Sequence, residues 1–260
     1  MMTQNQSLGF IGGGRVTRIL LDGLQRQNAL PEKVMVCDCD NEVAGALKSR
    51  VPAVELAPDL PTAAAQDLVF LAVHPPMMPT VAEAVRPHLK PDAVVVSLAP
   101  KFTLSRLSEL LGGFSRLARL IPNAPSLVGA GYNPVAFAPD LSEPDRAVLL
   151  NLLQPLGECP EVDEAKLEAY AVLMAMGPTY LWYQLQTLRE LAGQFGLSDA
   201  EITPALKRMV CGSARTLLDS GLSPAEVMDL IPIKPLADLE PVVTDAYRQK
   251  LTALYEKLKP

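Results

Sequence analysis

Three consecutive glycines, Gly12, Gly13 and Gly14, follow the apolar run Leu8–Ile11 and precede RVTRILLDGLQRQ, whose apolar residues fall at helical spacing. A strand that turns through glycine straight into a helix presents free backbone N–H groups and the positive end of the helix dipole at one spot. That chemistry suits a phosphate. Gly12, Gly14 and Thr17 occupy the three positions of a G-x-G-x-x-small pattern. The first allows the tight turn, the second lets a pyrophosphate approach the backbone, and a small third residue lets the helix close on the strand. Thr17 is bulkier than the usual Gly or Ala. The pattern predicts a bound dinucleotide, NAD or NADP; the plainer alternative is a structural turn.

A second feature lies one strand further on. The run VMVCDCD ends in acidic residues, and a carboxylate there accepts hydrogen bonds from ribose hydroxyls and repels a 2′-phosphate. Asp38 thus argues for NAD, whereas Arg15 favours a phosphate and hence NADP. Asp38 has a bland alternative, the N-cap of a helix over NEVAGAL. Cys37 and Cys39 flank it, but no second ligand pair follows, and His74 and His88 are the only histidines. No metal site is expected, and the four cysteines read as reduced thiols rather than a disulfide framework.

These residues need a scaffold, and its pattern is plain over the first 160 or so residues. Short apolar runs (Leu8–Ile11, Val34–Cys37, Leu68–Val73, Ala93–Leu98, Leu117–Ile121, and PVAFAP at 134–139) alternate with amphipathic stretches such as TVAEAVRPHL. Alternating strands and helices imply a parallel sheet covered on both faces. After Asp163 only helical patterns remain, with Pro178 in a first turn, Gly196 at a stop, Ser198 and Ser223 at N-caps, and a last helix near 243–258. The expected fold class is α/β: a Rossmann-type, doubly wound, mainly parallel sheet followed by a smaller all-helical domain. The expected domains are 1–161, binding the dinucleotide, and 162–260, for dimerisation and substrate.

Bulk composition narrows the class of protein. Hydrophobic residues make up 49% and charged residues 20% of the 260, with a net charge of −6. An acidic chain without a basic stripe is not expected to bind nucleic acid. No run approaches the ~18 apolar residues of a membrane span, and no leader pattern is seen, so a cytoplasmic protein is expected. AVLMAMGPTYLWYQL is apolar on more than one helical face. Such a surface is buried against a second copy or against the chain's own first domain; the expectation is a homodimer through the helical C-terminal domain.

Several segments, in order and spacing, resemble the pyrroline-5-carboxylate reductase family: GFIGGGRVTRILLDGL, LVFLAVHPPMM, VVVSLAPKFTLSRLSELLG, RLARLIPNAPSLVGAGYNPVAF, MGPTYLWYQLQTLRELAGQFGLS and CGSARTLLDSGLSPAEVMDLI. IPNAPSLVGAG, similar to the family's MPNTPALVGEG, is among the most specific. The resemblance implies hydride transfer from a nicotinamide to a small cyclic imine. It also implies that Ile11, Gly12, Gly13, Gly14, Arg15 and Val16 line the dinucleotide. By the same resemblance Ala72, Val73, His74 and Pro75, and Ser97, Leu98 and Ala99, border it from the ends of the fourth and fifth strands. Asn123 would lie near the nicotinamide; alternatively it is a turn residue before a proline.

The chain also departs from the family, above all in the substrate half. Arg15-Val16 replaces the family's Asn-Met, His74 and Pro76 stand at the Lys and Gln places of its VKPQ, and Pro100-Lys101 replaces a small, flexible pair. The family's substrate loop, SPGGTT, is not recognisable; DLIPIKPLADLEP runs from Asp229 instead. Lys234 there offers a charge for a substrate carboxylate, or is simply solvated. Tyr180 and Gln186 are further catalytic candidates on the helix after Gly177, with core packing as the alternative. The leading expectation is an NAD(P)H-dependent oxidoreductase acting on a cyclic imine or carbonyl. The alternatives are a non-catalytic dinucleotide-binding sensor or assembly protein, and a deazaflavin-dependent NADP reductase-like enzyme.

Overall fold

The computed structural model describes residues 6–259. It comprises two compact units: the first runs to Met176 and takes back the chain from Leu254, and the second is Gly177–Ala253.

The first unit is built in the order β1 (Ser7–Ile11), α1 (Arg15–Arg26), β2 (Lys33–Cys37), α2 (Asn41–Arg50), β3 (Glu55–Leu56), α3 (Leu60–Ala64), β4 (Leu68–Leu71), α4 (Met78–Val85), β5 (Val94–Ser97), α5 (Leu104–Leu110) and β6 (Leu117–Leu120). There follow β7 (Gly131–Tyr132), β8 (Val135–Phe137), α6 (Glu143–Leu153), β9 (Gly157–Glu158) and α7 (Leu167–Tyr170). Seven strands form one sheet in the order β3-β2-β1-β4-β5-β6-β8. All pair in parallel except β8, which runs antiparallel to β6. This is the doubly wound arrangement the strand–helix alternation predicts.

The apolar strands are buried because helices cover both faces. Leu20, Leu21 and Leu24 of α1 and Leu149, Leu152 and Leu153 of α6 share one core with alternate strand residues. Met78, Val81 and Val85 of α4 and Leu104 and Leu107 of α5 fill the other. Across β1 and β4, Phe10 and Phe70 stack with ring centroids 4.6 Å apart. Strand order reverses at β1, the switch point at which open α/β sheets leave a crevice beyond their carboxyl ends. Register makes the crevice level: Ile11 pairs with both Cys37 and Leu71, and Leu71 pairs with Ser97.

The first unit extends past the break expected near residue 161. Leu167 and Glu168 on α7 are buried, and Ala171 packs into the α4–α5 side of the core, so this segment belongs to the sheet domain despite its helical pattern. Strands β3, β7 and β9, two residues each, are too short to leave a period in the sequence.

The second unit contains α8 (Pro178–Gln194), α9 (Asp199–Asp219), α10 (Pro224–Asp229) and most of α11 (Glu240–Leu258). Pro178 opens α8, and Gly196 adopts φ +93° just after its end. Ser198 and Ser223 form capping boxes with Glu201 and Glu226. Among the described residues no helix is long and apolar enough to cross a membrane.

At the base of β1, Asp67 accepts hydrogen bonds from Ser7 N and Oγ (2.9 and 2.8 Å) and pairs with Lys90 at 2.5 Å. Burial pushes its carboxyl up, but Lys90 and the Ser7 donors outweigh this and hold it below the ordinary value. A depressed carboxyl stabilises the fold above its unfolded value of about 3.9 and loses that contribution as pH falls through the folded value. Asp67→Asn should therefore lower the Tm at pH 7, with the gap to wild type closing on acidification below about pH 3, as followed by calorimetry.

Candidate active site

The three glycines do different work. Gly12 has φ +106°, and a Cβ there would lie 2.5 Å from the Ala72 carbonyl oxygen, so the turn between β1 and α1 is closed to any side chain. Its N–H donates to the Cys37 carbonyl at 2.8 Å, and its own carbonyl accepts from Thr17 Oγ1 at 2.6 Å. That bond explains Thr17, which is fully buried and spends its hydroxyl on the loop. The Gly13 N–H donates to Asp38 Oδ2 at 2.6 Å.

Gly14 differs from both. It is the N-cap of α1 with φ −67°, a backbone any residue adopts, and nothing lies within 4 Å of where its Cβ would be. No fold contact requires glycine here. The helix it opens has neither a side-chain cap nor an acidic residue in its first turn, so its first N–H groups have no side-chain partner from the helix itself. These are the conditions for a phosphate seated against the backbone.

A cavity of about 960 Å3 opens at this point. Gly13, Gly14, Arg15 and Val16 form one wall; Ala72, Val73, His74 and Pro75 after β4 and Leu98 and Ala99 after β5 form another; Val43, Leu47 and Arg50 of α2 close the far end. Ten of the residues expected at the cofactor thus line a single space, the one the switch point predicts. The loops lock together, with Ala72 N–H donating to the Ile11 carbonyl and Leu98 N–H to the Leu71 carbonyl. The wall is also cationic. Arg15 and Arg18 form no ion pair among the described residues, and Arg50 is held through Nε by the buried carboxylate of Asp22 at 2.5 Å.

Other expected residues stand behind the wall. Ile11 and Ser97 are buried, the Ser97 hydroxyl accepting from Ala99 N–H at 3.3 Å. Asn123 is also buried, its side-chain oxygen accepting from Tyr132 N–H and its own N–H donating to Asn133 Oδ1, both at 3.1 Å. Asp38 is half-buried beside the glycine loop, and Asp40, not Asp38, caps α2. Arg18, Arg50, Val43 and Leu47 were not anticipated. Arg18 lies one turn after Arg15 and was open to helical spacing; the α2 residues needed the packing of α2 beside α1. Among the described residues no group of acidic, histidine or cysteine side chains is placed to hold a metal. The four cysteines are free, and burial pushes the Cys159 thiol up to about 12.

In the second unit, Tyr180 packs edge-on to Tyr247 with centroids 5.8 Å apart, and Gln186 donates to Glu190 at 2.9 Å on the exposed face of α8. Burial, then Tyr247, pushes the Tyr180 phenol up. Lys234 is exposed in the turn before α11, whose N–H groups are partly consumed internally, Ala237 donating to the Lys234 carbonyl and Leu239 to that of Leu236.

Residues 7–101 match the model of a family described as NADP oxidoreductase, coenzyme F420-dependent. Pyrroline-5-carboxylate reductase of Escherichia coli (strain K12) is 28% identical over 229 residues, 87% of this chain and 84% of that protein. Over most of its length the chain is similar to pyrroline-5-carboxylate reductases. In structure, the chain matches the Streptococcus pyogenes reductase with a TM-score of 0.81 at 21% identity, over 99% of both chains. The Plasmodium falciparum pyrroline carboxylate reductase, solved with NADP bound, gives a TM-score of 0.79 at 18% identity, over 98% of this chain and 96% of that one. The F420-dependent family match ends within the loop after β5, so it spans β1 to β5 and the loops that line the cavity.

Proposed function

We propose that the chain is an NAD(P)H-dependent oxidoreductase that reduces the C=N carbon of a small cyclic imine, or a comparable carbonyl. The observation that carries this reading is the open cradle at Gly14, where glycine serves no internal contact but faces a cavity of dinucleotide size. When bound, a reduced nicotinamide supplies a hydride. Gly13, Gly14 and the first turn of α1 would hold the pyrophosphate; Arg15, Arg18 and Arg50 add positive charge along the same wall. Leu98 and Ala99 keep that end apolar, which excludes water and strengthens every electrostatic contact within. Catalysis then rests mainly on placing donor and acceptor carbons together, and an imine already protonated needs no general acid.

The substrate half is rebuilt relative to the family. Residues 230–239 are exposed and carry Pro232 and Pro235 in place of glycine-rich donors, with Lys234 as the substitute charge for a substrate carboxylate. The second unit exposes large apolar residues, among them Trp182 (53%), Phe195 (78%) and Ile233 (78%), which supports a homodimer formed through it. Four reduced thiols fit a cytoplasmic setting. Titration of nicotinamide fluorescence tests binding, and loss of nicotinamide absorbance with pyrroline-5-carboxylate tests turnover. Binding without turnover across a panel of cyclic imines and keto acids would leave a dinucleotide sensor instead.

Asp38 sets the balance between the two cofactors. A unit charge pair at ~4 Å is worth roughly 4 kcal/mol at an effective dielectric near 20, enough to disfavour a 2′-phosphate beside this carboxylate. Asp38→Asn keeps an oxygen to accept from the Gly13 N–H and removes the charge. The ratio of NADPH to NADH affinity should rise about tenfold or more; an unchanged ratio would mean that Asp38 serves only the glycine loop.

A further inference from the structure

Behind the β5 end of the cavity lies a buried charge cluster that the reaction does not use. Arg119 on β6 is 1% exposed, and its guanidinium pairs with Glu168 (2% exposed) at 2.5 Å and with Glu164 at 3.0 Å. The same carboxylates reach forward. Glu168 Oε1 accepts the Lys101 N–H at 3.2 Å, and Glu164 Oε1 accepts the Leu104 N–H at 2.6 Å. Two carboxylates clamped by one guanidinium thus pin both ends of the segment 101–104. That segment continues directly from Leu98, Ala99 and Pro100, which line the cavity.

The pinned segment is itself unusual. Lys101 has φ +74°, one of only two non-glycine residues with positive φ among those described. A lysine in the left-handed region persists only where its surroundings over-determine it. A buried ion cluster is a poor stabiliser compared with apolar residues of similar size, so stability alone does not account for it. Arg119 Nε even lacks a hydrogen-bond partner among the described residues. Glu168 also lies just ahead of a π-helical turn at Ala171–Ala175, an irregularity often found beside functional sites.

We infer that Glu168, clamped by Arg119, is a positioning residue that, through Lys101, holds the Leu98–Pro100 wall against the nicotinamide half of the dinucleotide. The direction follows from the fold. Asp38 at the end of β2 marks the adenosine side, and the β4 and β5 ends lie across β1 from it. The inference rests on the dinucleotide reading above.

The test is a binding comparison that needs no turnover. Wild type and Glu168→Gln are titrated with NADH and with ADP-ribose, which keeps the adenosine and pyrophosphate but lacks the nicotinamide. Wild type should prefer NADH, and Glu168→Gln should lose about tenfold or more of its NADH affinity while ADP-ribose affinity stays within about twofold. The double variant Arg119→Met/Glu168→Leu removes both charges together, so it keeps the fold and should show the same selective loss. NADH and ADP-ribose weakening in parallel, NADH affinity unchanged in the variants, or a wild type with no preference for NADH would each overturn the inference. A wild type that binds neither ligand overturns instead the dinucleotide reading beneath it.

Discussion

Gly14→Val should abolish dinucleotide binding while leaving the protein folded. The Cβ it adds meets nothing within 4 Å, and φ −67° is open to valine. An apolar N-cap in place of glycine costs about 1 kcal/mol at most, so the Tm should barely move. The same Cβ and its methyls fill the space through which a pyrophosphate reaches the backbone of α1. NADH affinity should fall about a hundredfold or more, some 2.7 kcal/mol. Gly12→Ala is the matched contrast. Its Cβ meets the Ala72 carbonyl oxygen at 2.5 Å with φ +106°, so the fold is damaged first, by more than about 2 kcal/mol. Two glycines two residues apart should thus separate cleanly, one in calorimetry and the other in a binding titration. A Gly14→Val protein that binds NADH like wild type would remove the cradle from the account.

The second large effect is on stability. Arg119→Leu leaves the Glu168 carboxylate, 2% exposed, without its main cation. Removing one partner of a buried pair typically costs about 3–5 kcal/mol, a large share of the 5–15 kcal/mol available to a domain. Glu164 loses the same partner but is partly solvated, so the burden falls on Glu168. Denaturant melts of the single variant and of Arg119→Met/Glu168→Leu should show most of that loss recovered in the double variant. Equal destabilisation of both would mean that the cluster stabilises through packing rather than through paired charge.

What the sequence made legible was local. β1, Gly12–Gly14 and α1 form one unbroken strand–turn–helix, so chain order alone carried the chemistry. The runs LVFL and VVVS are buried on both faces and could be read as parallel strands without a partner in view. The capping boxes at Ser198 and Ser223 are likewise short-range signals. Long-range pairings were not legible. The bond from Gly13 N–H to Asp38 spans 25 residues, and the Arg119–Glu168 pair spans 49. In LARL the arginine looks like the solvent-facing residue of a strand, yet helices on both faces leave β6 no solvent side. The first unit ends later than the helical pattern suggests for a related reason. EAKLEAYAVLMAM has the period of the helices that follow it, and only tertiary contact shows that Leu167 and Ala171 belong to the sheet domain. At the other end of the chain, residues 230–239 have no period and no regular structure, so the region that departs most from the family is also the least readable.

The central claim is that this cavity holds a reduced nicotinamide which passes its hydride to a small imine. It is tested most directly by incubating the protein with NADH and NADPH stereospecifically deuterated at the transferable position, together with pyrroline-5-carboxylate, and following the label by mass spectrometry. The account predicts that one deuterium from one face of the nicotinamide appears on the former imine carbon, and that Gly14→Val abolishes the transfer. Tight binding of both dinucleotides with no label in the product would contradict it.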